Sequence, residues 1–190
     1  MATTLPLLAL GLLSAAAANA DSDACAALIP PNLAAKLAAD LPAYQLPTSN
    51  DAGEQRNKDL SASGDWPCPF VVPGDFDGNG TLDRALVLKS KEAGSARLVG
   101  IMNNGGNNNG QWQIMLSEDW PLALSDTELS PKEPGLYQRE EAIKQPVEQL
   151  DQLASLQSDY AGFAAGKVNG QYALYALINN KWQKLTLRDQ

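Results

Sequence analysis

Apolar and polar residues alternate along several short segments, and a period of two predicts β-strands. Leu82–Lys89 follows a glycine-rich loop, and Arg97–Met102 and Gln111–Leu116 lie on either side of a tract of Asn and Gly. Near the C-terminus, the strand-like segments Gln171–Ile178 and Lys181–Leu187 flank a pair of asparagines. Because Asn and Gly favour tight turns, we expect both pairs of segments to form antiparallel hairpins.

Two segments have apolar residues at helical spacing instead. Asn32–Leu41 is predicted to be a helix with Asn32 as its N-cap. Residues 146–157 are predicted to be a second helix, since a proline at the first turn precedes an apolar face. Residues 47–65 have no periodicity and are expected to be a surface loop. Phe70–Val72 lies among prolines and is therefore expected to be an edge strand.

These elements predict the fold class α+β. We expect an antiparallel β-sheet made of hairpins, with one or two helices packed on it. The region after residue 20 is long enough for one domain with a substantial core, and we assign residues 21–190 to it.

Oxygen-bearing side chains alternate through the loop before the strand Leu82–Lys89. They are Asp75, Asp77, Asn79, Thr81 and Asp83. A tightly coiled loop turns every second side chain inward, and Ca²⁺ takes about six to eight oxygen ligands. The seventh position of such loops commonly supplies a backbone carbonyl, so Thr81 needs to offer only its C=O. Two glycines supply the backbone freedom that a sharp turn needs. The loop is therefore a candidate Ca²⁺ site with a structural role.

A tight turn without a metal is the alternative interpretation of this loop. Asp-Gly and Asn-Gly are strong hairpin signals, and Asp77-Gly78-Asn79-Gly80 contains both. However, a bare turn does not need three carboxylates within about nine residues, because they repel one another unless they are neutralised. An EF-hand does not fit, because its twelfth position, a bidentate Glu, is Leu86 here and a strand follows.

The pattern Asp-x-Asp-x-Asn-Gly-x-x-Asp between two strands resembles the calcium loop of the FG-GAP and VCBS repeats. The resemblance extends from Pro73 to about Leu88, and more weakly to Leu116. It implies a propeller-blade-like hairpin in which Ca²⁺ is bound by side-chain oxygens and one carbonyl. The side chains would be those of Asp75, Asp77, Asn79 and Asp83, and the carbonyl that of Thr81. Asn79 replaces the commoner Asp, which removes one negative charge and should weaken the site. The C-terminal hairpin repeats the scheme faintly, but two units cannot close a propeller.

The first twenty residues carry no charged side chain and end in Ala18-Asn19-Ala20. Small residues at these positions fit a signal-peptidase site, so residues 1–20 are predicted to be a secretory signal peptide, with a short membrane anchor as the alternative. Export to the periplasm or the medium would favour a disulfide between Cys25 and Cys68, the chain's two cysteines. Two free buried thiols are the alternative.

The net charge and the absence of histidine exclude some classes of partner and of catalytic mechanism. The net charge of −8 argues against nucleic acid or an anionic membrane as a partner. With no histidine, Ser-His and Cys-His catalysis is excluded, and no catalytic residue is predicted. We expect an exported calcium-binding protein that is more suited to interaction or adhesion, with a protein or glycan partner, than to catalysis. The alternatives are a secreted hydrolase with a structural Ca²⁺ and an accessory or inhibitory protein of an envelope enzyme.

Overall fold

Two antiparallel sheets lie face to face in the computed structural model, which describes residues 23–63, 68–92, 94–105, 111–138 and 155–187. The strands in chain order are β1 (Tyr44–Gln45), β2 (Val71–Gly74), β3 (Asp83–Ser90), β4 (Ala96–Asn103), β5 (Trp112–Trp120), β6 (Thr127–Lys132), β7 (Gly135–Gln138), β8 (Ser155–Ser158), β9 (Gly162–Lys167), β10 (Tyr172–Ile178) and β11 (Lys181–Leu187). The first sheet has the order β1-β3-β4-β5, with β2 also paired to β3. The second has the order β11-β10-β9-β6, and β7 and β8 form a separate ribbon. The predicted α+β class is confirmed.

The α-helices among the described residues lie in the N-terminal part of the chain. They are α1 (Ala24–Ala27), α2 (Pro31–Asp40) and α3 (Glu54–Ser63), with short 3₁₀ turns at Ser49–Ala52 and Leu124–Asp126. No helix in the described part of the chain is long and apolar enough to cross a membrane.

Strand β3 connects the layers because both of its faces are buried. Ala85 and Val87 point into the core between the two sheets, where they join Phe163 and other apolar residues of the second sheet. Leu86 and Leu88 point the other way, into a core that the helices cover. Since burying one large aliphatic side chain stabilises a fold by about 1.5–3 kcal/mol, this strand ties the helix layer to both sheets.

The predicted disulfide is confirmed. Cys25 and Cys68 are bonded, their Cα atoms lie 4.9 Å apart, and both side chains are fully buried. The bridge joins α1 to the segment just before β2. Cross-linking positions 43 residues apart lowers the entropy of the unfolded chain, which stabilises the native state by about 4 kcal/mol in the simple chain model.

Three predictions about helices and loops need correction. Helix α2 begins at Pro31, so Asn32 lies inside it, and Pro30 at the N-cap gives no side-chain hydrogen bond. The expected surface loop at 47–65 contains a 3₁₀ turn and α3. The predicted helix at 146–157 lies mostly outside the described residues, but its last part is wrong, because Ser155–Ser158 is strand β8 paired with β7.

The predicted hairpins are confirmed. Strands β10 and β11 pair around Asn179 and Asn180, both of which have positive φ angles, as a tight hairpin turn requires. Strands β4 and β5 also pair, and β5 runs on to Trp120, beyond its predicted end. Residues 106–110 of the Asn and Gly tract between them, and the predicted signal peptide at 1–20, lie outside the described residues.

Candidate metal centre

The candidate loop joins β2 to β3, and the pairing of Gly74 with Asp83 closes it. The hairpin predicted around this loop is therefore present. Gly78 and Gly80 have φ angles of +74° and +80°, a left-handed conformation that disfavours other residues by about 1–2 kcal/mol. These two glycines let the chain coil tightly between the carboxylates.

Asp83 forms the buried base of the loop. Its side chain is fully inaccessible to solvent, although it is acidic. One carboxylate oxygen accepts a hydrogen bond from the Phe76 amide at 2.8 Å, and the other accepts one from the Asn103 amide at 2.7 Å. Because one amide of the loop and one at the end of β4 hold it, the Asp83 carboxylate has a fixed orientation.

Asp75 and Asp77 bring two more carboxylates towards Asp83. One oxygen from each of the three side chains lies within 4.8 Å of the other two. Oδ2 of Asp75 accepts a hydrogen bond from the Gly80 amide at 3.0 Å. The other oxygen, Oδ1, is buried and has no hydrogen-bond partner among the described residues. A buried acceptor without a partner costs about 1–3 kcal/mol, so binding a cation at this oxygen would be favourable.

The predicted ligands Asn79 and Thr81 lie in the same loop and are hydrogen-bonded to their neighbours. Oδ1 of Asn79 accepts a hydrogen bond from the Thr81 amide at 2.8 Å, and its Nδ2 donates to Asp77 at 3.0 Å. Nδ2 of Asn79 and the Thr81 hydroxyl both donate to the carbonyl of Asn103, at 3.0 and 2.6 Å. Both residues therefore hold the loop against the end of β4, and their role as metal ligands stays a prediction.

Two residues at this site were not predicted from the sequence. Asn103 fixes the loop through its amide and its carbonyl, and the Tyr160 ring, from the turn between β8 and β9, lies directly over Gly78. A Cβ atom at Gly78 would overlap that ring. Neither residue carries a sequence signal, because the fold brings both of them to the loop from distant positions.

The electrostatics of the loop favour a cation. The pKa of Asp83 is raised to about 6: burial raises it most, the amides of Asn103 and Phe76 lower it, and repulsion from Asp77 and Asp75 raises it. No lysine or arginine forms an ion pair with Asp75, Asp77 or Asp83 in the described part of the chain. Three carboxylates, one of which has an unpartnered buried oxygen, could therefore hold a metal ion.

Comparison with known proteins adds no family assignment. No protein-family model, curated protein or solved structure matches this chain. The resemblance of the loop to the FG-GAP and VCBS repeats therefore stays a prediction that rests on the spacing of its residues.

Proposed function

We propose that this chain is an exported calcium-binding protein in which Ca²⁺ stabilises the loop between β2 and β3. The observation that carries the proposal is the buried, unpartnered Oδ1 of Asp75 beside the carboxylates of Asp77 and Asp83. Hard oxygen donors suit Ca²⁺, and an irregular glycine-containing loop suits Ca²⁺ better than Mg²⁺, which demands near-ideal octahedral geometry.

The role of the metal is structural in this proposal. The loop contacts the end of β4 through Asn103 and the second sheet through Tyr160. Neutralising the three carboxylates removes their mutual repulsion and so holds both contacts in place. Export is supported by the disulfide, which forms in oxidising compartments.

An interaction role is supported by the surface around the loop. Leu82 and Tyr160 are 55% and 45% exposed, and they are two of the three large apolar side chains that are exposed in the described residues. Leu82 lies in the loop and Tyr160 packs on it at Gly78, so bound Ca²⁺ would hold these two exposed side chains in one conformation for a protein or glycan partner. We expect calcium-dependent binding to a glycan array or to envelope proteins. The double substitution Leu82→Ser with Tyr160→Ser should abolish this binding. Equal binding by parent and variant would contradict the interaction role.

Isothermal titration calorimetry tests the metal proposal directly. The parent should bind one Ca²⁺ and bind Mg²⁺ much more weakly. Asp75→Asn keeps the shape of the side chain but removes the charge, so it should weaken Ca²⁺ binding at least tenfold. Asp40→Asn is the matched control, since Asp40 lies at the end of α2 and pairs with Lys36. No heat of Ca²⁺ binding to the parent, or equal binding by both variants and the parent, would overturn the proposal.

A further inference from the structure

A second candidate site lies directly beside the metal loop. It is a cavity of about 300 Å³, bordered by Asp77 of the loop, by residues of β8 and of the turn after it, and by the turn between β10 and β11. Volumes of about 300–1,000 Å³ are typical of small-molecule sites, so the cavity has room for a small ligand. Three parts of the chain that are distant in sequence therefore enclose one space at the loop.

Polar side chains that are available to a ligand surround this space. Four of them border the cavity and are exposed: Gln157, Asp159, Asn179 and Asn180. None of the four forms a side-chain hydrogen bond or an ion pair with another residue in the described part of the chain. An amide both donates and accepts hydrogen bonds, and a carboxylate accepts them. This set suits a ligand with several hydroxyl groups, since each hydroxyl also donates and accepts.

An aromatic ring forms another part of the cavity wall. Tyr160 borders the cavity and is 45% exposed, so its ring offers apolar surface beside the polar groups. A sugar has the matching combination, because C–H groups cover its ring faces and hydroxyl groups surround its edge. The Tyr160 ring can therefore contact a sugar face while the amides and carboxylates bind its hydroxyls.

The charges at the cavity disfavour an acidic ligand. Asp77 and Asp159 both border it, and no lysine or arginine of the described residues does so. An acidic sugar would bring a third negative charge towards these two carboxylates, and like charges repel. The ligand that fits this wall is therefore a neutral sugar.

Bound Ca²⁺ would fix the part of the wall that the loop supplies. Asp77 is one of the three carboxylates that converge in the loop, and the Tyr160 ring lies over Gly78. An ion in the loop would offset the charge of Asp77 and hold both side chains in place. Without the ion, repulsion among the three carboxylates would displace this wall, so sugar affinity should depend on Ca²⁺.

We propose that this cavity binds one neutral sugar unit of a glycan in a calcium-dependent manner. The C–H face of the sugar contacts Tyr160, and its hydroxyls bind Asp159 and the amides of Asn179 and Asn180. This inference names the partner of the calcium-dependent surface and therefore rests on the calcium proposal.

Calorimetry in two steps tests this inference separately from the calcium proposal. Ca²⁺ is titrated first into the metal-free protein, and maltohexaose, mannohexaose and galactohexaose are then titrated in saturating Ca²⁺ and in chelator. The parent should bind at least one of these neutral sugars, and at least tenfold more weakly in chelator.

The possible failures have different signatures. Ca²⁺ binding without binding of any of the three sugars would overturn this inference and leave the calcium proposal intact. Equal sugar binding in Ca²⁺ and in chelator would also overturn it, because the wall would then not depend on the ion. A parent that binds no Ca²⁺ would overturn the calcium proposal and, with it, the calcium-dependent site.

Turn variants test the location of the sugar. Asn179→Gly with Asn180→Gly removes both amides but keeps the turn, because glycine adopts positive φ angles without strain. Binding of the sugar should weaken at least fivefold, as expected for the loss of two hydrogen bonds, while Ca²⁺ binding stays that of the parent. Asn169→Gly is the matched control, since Asn169 is exposed, has a positive φ angle and does not border this cavity. Equal sugar binding by both variants and the parent would contradict the location.

A carboxylate variant tests the charged part of the wall. Asp159→Asn keeps the shape of the side chain and should weaken sugar binding about tenfold, because hydrogen bonds to a charged group are the stronger ones. Asp40→Asn, on α2, should leave sugar binding unchanged. If Asp159→Asn binds the sugar as tightly as the parent does, the sugar does not contact Asp159 and the proposed site is wrong.

Discussion

The contact between the metal loop and the second sheet can be tested with two glycine substitutions. Gly78 and Gly80 have similar positive φ angles, so alanine at either position meets the same backbone strain of about 1–2 kcal/mol. They differ in their surroundings. A Cβ atom at Gly80 has no neighbour within 4 Å in the described structure, whereas one at Gly78 overlaps the Tyr160 ring. Gly80→Ala therefore isolates the backbone strain.

Gly78→Ala should lower the free energy of unfolding by about 1–3 kcal/mol more than Gly80→Ala, which is the usual cost of inserting a methyl group where packing is tight. Tyr160 is 45% exposed and can move, so we expect the lower half of that range. Urea unfolding in saturating Ca²⁺ measures both variants, with unchanged m-values as the check that the native and unfolded states are comparable.

Removing the ring should remove the difference. In a Tyr160→Ala background, Gly78→Ala and Gly80→Ala should cost the same, because only the backbone strain remains. If the two substitutions already cost the same in the parent, the Tyr160 ring does not pack on the loop, and the described link between loop and second sheet is wrong.

Three further predictions concern the bridge, the buried acid and the buried arginine. Replacing both Cys25 and Cys68 by Ser should lower the free energy of unfolding by about 4 kcal/mol, and urea unfolding that matched the parent's would contradict this. In chelator, titration of Asp83 should cost the parent about 3 kcal/mol of stability as the pH rises from about 3 to 7. The pKa of Asp83 is about 6 in the native state and 3.8 in the unfolded chain, so the native state holds this proton to higher pH. Asp83→Asn should flatten this fall, and an equal pH dependence in the variant would refute the assignment. Arg84 donates to the carbonyl of Leu28 at 2.7 Å, so Arg84→Met should cost about 1–3 kcal/mol in thermal unfolding, whereas Lys36→Met at an exposed ion pair should cost less than about 1 kcal/mol.

The sequence predicted the hairpins well because their signals are local. Strand β3 alternates between two apolar cores, and the left-handed Asn179 and Asn180 sit where a tight turn is needed. Such features depend only on residues that are close in the chain, so the local sequence pattern is enough to predict these strands and turns.

The missed elements depend on contacts that the local pattern does not show. Helix α3 has few apolar residues and is supported by pairs four residues apart, such as Glu54 with Lys58, and by Arg56, which donates to the Thr127 carbonyl of β6. Strand β8 falls in a segment predicted to be a helix because the apolar residues before it have helical spacing. Its pairing with β7 is a contact that this spacing does not show.

The candidate site also has one part that the sequence predicted and one part that it did not. Spacing along the loop predicted that Asp75, Asp77 and Asp83 would converge, and the structure brings their oxygens together. Asn103 and Tyr160 complete the surroundings of the loop through the pairing of β3 with β4 and the packing of the two sheets. A sequence pattern confined to one loop cannot contain these distant contacts.

Thermal unfolding in Ca²⁺ and in chelator tests the central claim most directly. The parent should unfold at a higher temperature in Ca²⁺, with a stabilisation of about 2.7 kcal/mol at a hundredfold excess over the dissociation constant. Asp75→Ala with Asp77→Ala should unfold at the same temperature in both solutions, because the loop has lost two of its three carboxylates. If the parent itself unfolds at the same temperature in Ca²⁺ and in chelator, the loop is a metal-free turn and the calcium proposal is wrong.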